Sequence, residues 1–170
     1  YDEEVKVPLE DAYGRLAQLE YELGTTAGYP DATFTLRLAY GPVKRYTLDG
    51  EEVAAFTTIG GLYEKGARFE QADPYKVPAS WMKAKSKLDL QTPFNFVSTP
   101  DITGGNSGSP VVDRDGELVG LIFDGNIQSL VLDFQYEDVV SRAVSVDVRA
   151  IREALGKVYD ASFLVEEMGR

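Results

Sequence analysis

The chain has 170 residues, 44% of them hydrophobic, which is enough to fill the core of one ordinary domain or two small half-domains. Its 28 acidic and 17 basic side chains leave a formal net charge of -11. That balance disfavours nucleic acid, whose phosphates call for a basic face, and anionic membrane surfaces alike.

The chain has no cysteine and no histidine. Without cysteine there is no disulfide framework and no thiolate metal site, although this alone does not place a protein in the cytosol. No apolar run is long enough to cross a bilayer, so membrane insertion is not expected. The opening Tyr1-Asp2-Glu3-Glu4 lacks the basic and apolar regions of a signal peptide, and a chain beginning this way reads as cut from something larger.

Pro8 to Leu23 reads as a helix. Leu9, Ala12, Tyr13, Leu16, Leu19 and Leu23 recur at three- and four-residue steps, and Gly24 suits the stop. The period then changes to two. Thr33 to Tyr40 alternates as a half-buried strand, Val43 to Leu48 forms the next, and Asp49-Gly50 signals a hairpin into Val53 to Thr58. An antiparallel meander is expected here.

Ile59 to Ser80, with Gly60-Gly61, Gly66, Pro74 and Pro78, reads as a long surface connection. Trp81 to Leu88 can form a short helix capped by Ser80. Pro93 to Ser98 is a strand. Ser109 to Val112 and Glu117 to Phe123 form a hairpin about Asp113-Arg114-Asp115-Gly116, and Val131 to Tyr136 and Ala143 to Val148 are further strand candidates. Asp147 can cap a helix carrying Val148, Ile151, Leu155 and Val158 on one face, followed by a helical turn from Ala161 to Met168. Helices bracketing six to eight short strands predict a mainly β chain, a small antiparallel barrel with flanking N- and C-terminal helices.

The chemistry concentrates in Thr103-Gly104-Gly105-Asn106-Ser107-Gly108-Ser109-Pro110. Glycine and small hydroxyl residues let backbone N–H groups turn inward on one point, so the loop can hold an oxyanion beside a serine hydroxyl. Ser107 is the candidate nucleophile, with the Gly105 and Ser107 N–H groups as the candidate oxyanion hole. A tight Gly/Ser turn without chemistry and an anion-binding nest are the competing readings. The loop lacks the lysine and following helix of a phosphate loop.

Gly105-Asn106-Ser107-Gly108-Ser109-Pro110 resembles the nucleophile motif of the chymotrypsin clan. More narrowly, Phe94-Asn95-Phe96-Val97-Ser98-Thr99 through Asp101-Ile102-Thr103 to Ser107 resembles the bacterial dipeptidyl-peptidases of serine peptidase family 46, of the 7 and 11 type. Four other strings agree with that family: Leu36 to Gly41, Gly61 to Lys65, Glu117 to Asn126 and Ala143 to Asp147.

The resemblance implies the second half of a trypsin-like double barrel. Residues 1–28 would be the tail of an inserted helical domain, 29–146 the nucleophile-bearing barrel, and 147–170 the helices packing on it. It also implies release of dipeptides from the free amino end of oligopeptides, in the periplasm or at the surface of a Gram-negative bacterium, with no cofactor. Histidine and aspartate would come from a first barrel outside this chain. A half-enzyme could also dimerise through its exposed apolar face.

By the same resemblance, Phe123-Asp124-Gly125-Asn126 walls the first specificity pocket. Gly125 leaves room there for a bulky apolar residue, where a basic side chain goes with acidic preference in the family. Asp124 can pair with the substrate ammonium, or be a solvated turn carboxylate. Asp101, six positions before Ser107, stands where a trypsin-type pocket places a carboxylate, or caps its own turn.

Serine is a weak nucleophile without a base beside it, and this chain offers no imidazole. Lys83, Lys85 and Lys87 lie on one charged stretch where solvation keeps lysines protonated. The isolated chain is therefore expected to be inactive. A histidine-free barrel that only binds peptides, and an endopeptidase of the same clan, are the alternatives.

Overall fold

Strand Pro93–Ser98 (β4) organises the fold. In the computed structural model, which describes residues 2–23, 36–133 and 136–169, it lies inside a five-stranded antiparallel sheet. The sheet order is β3-β4-β7-β6-β5, with β3 at Phe56–Thr58, β5 at Pro110–Val112, β6 at Leu118–Gly125 and β7 at Ala143–Asp147. Along β7, Ala143, Ser145 and Asp147 are buried and the valines between them half-buried, the period-two signature of a strand with two unequal faces. β4 pairs with β7 from Asn95↔Val146 to Ser98↔Ala143, and β7 pairs on its other side with β6.

A separate two-stranded hairpin joins β1 (Tyr46–Leu48) to β2 (Glu51–Val53). Asp49 and Gly50 both take positive φ, 52° and 83°, as the two-residue turn demands. The expected meander is not formed. The chain breaks at Ala54 and Ala55, and β3 leaves the hairpin to pair with β4.

Leu36 to Tyr40 also departs from expectation. It has no regular structure, and Leu36, Leu38 and Tyr40 are largely exposed. Alternation makes a strand only when an edge accepts it, and among the described residues this segment meets the sheet only further on, at the Val43↔Ser98 bridge. Thr33 to Thr35, like Gly24, lie outside the described residues. The five strands therefore do not close into a complete barrel among the described residues. One face of the sheet instead floors an open groove of about 1040 Å³, bordered by Leu38, Tyr40, Phe56, Phe96, Ile122 and Ser145.

The hydrophobic core gathers where the helices meet the Phe94 end of β4. Ile59, Tyr63, Val77, Trp81, Ala84, Leu88 and Ala150 are buried together, with Leu62, Leu90, Phe94, Ala154 and Val158 against them. Three helices supply most of it: α2 (Ile59–Arg68), α3 (Ala79–Ala84) and α4 (Val148–Lys157).

Helix α2 stands where a surface connection was expected. Two of its glycines are packing residues: a Cβ on Gly60 would lie 2.9 Å from the Leu90 carbonyl, and one on Gly66 would lie 2.7 Å from Val77. Ile59, Leu62, Tyr63 and Gly66 share one helical face, and the Thr58 hydroxyl caps the first turn by accepting from Gly61 N–H.

Helix α3 begins two residues earlier than predicted, with Pro78 at its cap, so Ser80 lies inside it and does not cap it. Asp147 does cap α4, accepting from Arg149 N–H and holding the Arg149 guanidinium at 2.7 and 2.8 Å. That hydrogen-bonded pairing raises the Arg149 pKa against the opposing effect of burial. A last helix, α5, spans Ser162–Met168. At the other end, α1 (Val7–Glu22) forms as read and leaves Leu9, Tyr13, Leu16 and Leu19 exposed.

Val131 to Tyr136 was expected as a strand. Residues Ile127–Asp133 instead form tight helical turns, and residues 134 and 135 lie outside the described set. Ser129 sets the direction, because its N–H and hydroxyl both donate to the Asn126 carbonyl and curl the chain immediately after β6.

Candidate active site

The glycine-rich loop links β4 to β5 and is fastened to β6. Gly108 N–H donates to the Ile122 carbonyl at 2.7 Å, and Ile122 N–H returns to the Ser109 carbonyl at 3.1 Å. Inside the loop, the Asn106 side chain accepts from Thr103 N–H at 2.9 Å, and Asn106 N–H donates to the Thr103 carbonyl. This ring of bonds forces the next turn of the chain through Gly105, whose φ of +98° is closed to other residues.

Three N–H donors of the loop remain. Among the described residues, the Gly104, Gly105 and Ser107 N–H groups have no acceptor in the protein. All three residues are exposed, so water satisfies these groups in the free protein, and the Gly105 and Ser107 pair is free to receive a developing oxyanion. The Ser107 side chain is exposed, and among the described residues no atom beyond the two chain neighbours approaches within 4 Å of where a Gly108 side chain would begin. The far side of the hydroxyl is thus open.

The sheet register brings the expected pocket wall to the serine. Ser107 Oγ donates to the Phe123 carbonyl at 3.3 Å. Phe123 and Asp124 are exposed, and one Asp124 carboxylate oxygen accepts from Gly125 N–H at 2.8 Å. Its second oxygen carries no bond among the described residues.

Asn126 anchors the wall from behind. Its amide donates to the Val140 carbonyl at 2.8 Å, and its Oδ1 accepts from Arg142 N–H at 2.9 Å and Ser129 N–H at 3.1 Å. Glu137 fixes the neighbouring loop. Burial pushes its carboxyl up, but hydrogen bonds from the Ser141 hydroxyl and the Val139, Ser141 and Val140 N–H groups more than offset this and leave it below the ordinary range.

Asp101 is half-buried, and desolvation raises its pKa. Its carboxylate does not cap the turn, which Asn106 closes instead. An unpaired, partly buried carboxylate destabilises the ionised fold. Asp101→Asn should therefore raise the melting temperature at neutral pH. The gain should fade as the pH falls through the raised pKa of the folded protein, because the wild-type carboxyl is then protonated too. Thermal melts across that range read both parts.

Lys83, Lys85 and Lys87 are exposed on α3 and the turn after it, and Lys85 lies over the Tyr63 ring. No group of three or more acidic side chains forms a metal cluster among the described residues. Arg142, Ser129 and Glu137 were not legible as site residues, since each acts through backbone groups brought near by the turn after β6.

Comparison with known proteins adds to this geometry. The family model for peptidase S46 matches residues 1–170. The dipeptidyl-peptidase 7 of Phocaeicola vulgatus is 38% identical over 149 residues, covering 82% of this chain and 20% of that protein. The Asp/Glu-specific dipeptidyl-peptidase of Shewanella putrefaciens is 34% identical over 179 residues, covering 87% of this chain and 24% of its own. Porphyromonas endodontalis DPP11, crystallised with the dipeptide Arg-Glu, superposes with a TM-score of 0.73 at 30% identity, covering 90% of this chain and 23% of that one.

The chain thus spans about a fifth to a quarter of the proteins it matches. Relatives of both names stand at similar identity, so the comparisons lend no support to the expected apolar second residue. With its whole length matched by the family model and its sheet superposing on a solved relative, the chain belongs to the peptidase S46 family.

Proposed function

We propose that the full-length protein carrying this chain is a serine-type dipeptidyl aminopeptidase, with Ser107 as its nucleophile. One observation carries this reading. An exposed serine hydroxyl bonded to the Phe123 carbonyl sits in a loop whose Gly105 and Ser107 N–H groups have no acceptor among the described residues.

Ser107 Oγ attacks the carbonyl of the substrate's second residue while its proton passes to a base. The carbonyl oxygen gains charge against the two N–H groups. Collapse breaks the peptide bond, the proton goes to the departing amine, and the dipeptide remains as an ester on Ser107 until water releases it. The base and its orienting carboxylate come from elsewhere in the full-length protein, because this chain has no histidine. In this reading residues 29–146 are the second barrel of a pair, residues 1–28 end a helical insert, and residues 147–170 pack on the barrel. The enzyme works outside the cytoplasm on oligopeptides.

Counting two residues requires an anchor for the terminal ammonium. Asp124 supports that role: it is exposed beside Phe123 and keeps one carboxylate oxygen unbonded among the described residues. The test compares peptide amides with free and acetylated amino ends. Acetylation should lower kcat/KM by at least about tenfold, the loss of one charge-assisted hydrogen bond. Equal cleavage of the acetylated substrate would remove both the exopeptidase reading and the role of Asp124.

A further inference from the structure

Gly125 interrupts the pocket wall with no side chain, and the backbone does not demand glycine there, because its φ lies outside the left-handed region. What excludes a side chain is Ser129. A Cβ on Gly125 would lie 2.1 Å from Ser129 Oγ and 3.1 Å from Ser129 Cβ, and real Cβ contacts do not come so close. Nor can the serine swing away freely. Its hydroxyl donates to the Asn126 carbonyl at 2.7 Å, and its N–H donates to Asn126 Oδ1 at 3.1 Å. Asn126 is itself tied to Val140 and Arg142.

From this contact we infer that Ser129 is a specificity-determining residue, coupled sterically to Gly125. The inference rests on the reading of Phe123 to Asn126 as the pocket wall. The space that a side chain at position 125 would occupy is filled by the Ser129 hydroxymethyl group, so Gly125 does not leave that part of the pocket empty. Ser129 sets the depth of the wall beside the Phe123 carbonyl that Ser107 touches. Its hydroxyl proton is committed to Asn126, so the oxygen turned toward Gly125 offers lone pairs and no donor. A neutral second side chain suits that surface better than a carboxylate.

The test is a cycle of Gly125→Ala, Ser129→Gly and the double variant in the full-length protein. It is read by kcat/KM on dipeptidyl amides with alanine or phenylalanine second, and by thermal melting. Overpacking predicts that Gly125→Ala loses at least about tenfold in kcat/KM on both substrates and lowers the melting temperature. Ser129→Gly should raise the phenylalanine-to-alanine ratio by about fivefold or more, the scale of a small volume change in a pocket.

The double variant should recover most of both losses. If Gly125→Ala is as active and stable as wild type, or the double variant is no better than Gly125→Ala, the coupling is wrong. An unchanged ratio in Ser129→Gly removes the specificity role. Should the wild-type protein release no dipeptide, the exopeptidase reading fails and the specificity role with it. The melting cycle then decides the packing claim by itself: rescue in the double variant upholds it, and no rescue overturns it.

Discussion

Replacing Ser107 by alanine in the full-length protein is expected to lower kcat by about ten-thousandfold or more, the scale seen when a nucleophile is removed from a hydroxyl–base unit. The fold should hardly notice. Ser107 is exposed, and its side chain makes one hydrogen bond, to the Phe123 carbonyl at 3.3 Å. The loop is held by other groups: Asn106 on Thr103, Gly108 on Ile122, and Ile122 on Ser109. Substrate affinity should survive as well, since the proposed oxyanion donors belong to the backbone. Initial rates, a binding titration and a thermal melt on the same variant separate these outcomes. Retained turnover would remove Ser107 as nucleophile. The 170-residue chain alone, which has no histidine, should release no product at all.

The largest effect on stability is expected at Arg142, which is 1% exposed. Among the described residues no carboxylate pairs with its guanidinium, which donates to carbonyls instead: Lys44 and Arg45 at 3.0 Å, Asp138 at 2.8 Å, Ser141 at 2.7 Å and Val139 at 3.4 Å. The Tyr46 ring adds a cation–π contact at 5.1 Å. One side chain thereby ties the segment before β1 to the loop before β7, nearly a hundred positions later.

Arg142→Leu would keep the volume but leave those carbonyls without a donor in the interior. The expected loss is about 3–5 kcal/mol, in the range for breaking a buried charged network. Arg142→Lys should fall between, because an ammonium has three donors and no planar fork. Urea unfolding reads the difference, and an unchanged midpoint in Arg142→Leu would contradict this account. The backbone N–H of residue 142, which holds Asn126 Oδ1, is kept in both variants, so kcat/KM should fall far less than stability.

These two residues differ in how far the sequence exposes them. Ser107 is legible as the proposed nucleophile because such chemistry needs a local string of small residues, and that string survives in any one-dimensional reading. The same holds for β4, for the β5–β6 hairpin about its four-residue turn, and for the Asp147 cap, all of which form where local pattern puts them.

Arg142 carries no such signal, because its partners are backbone oxygens contributed by a distant hairpin and a nearby loop. Helix α2 was hidden for a related reason. Gly60 and Gly66 look like chain breakers, yet their role is close approach to Leu90 and Val77, which only tertiary packing reveals. Leu36 to Tyr40 erred the other way, with a clean alternation and no paired edge to receive it among the described residues. The proposed pocket wall stood between these cases: its residues could be named, but the Ser129 hydroxyl filling the place beside Gly125 could not.

The most direct measurement is covalent labelling of the full-length protein with an organophosphorus fluoride, followed by peptide mapping. The reagent exchanges its fluoride for an activated serine oxygen, so it reports the nucleophile without assuming a substrate. The account predicts one phosphoryl group per chain, carried by Ser107 and absent in Ser107→Ala. A label on another residue, or equal labelling of the alanine variant, would contradict it.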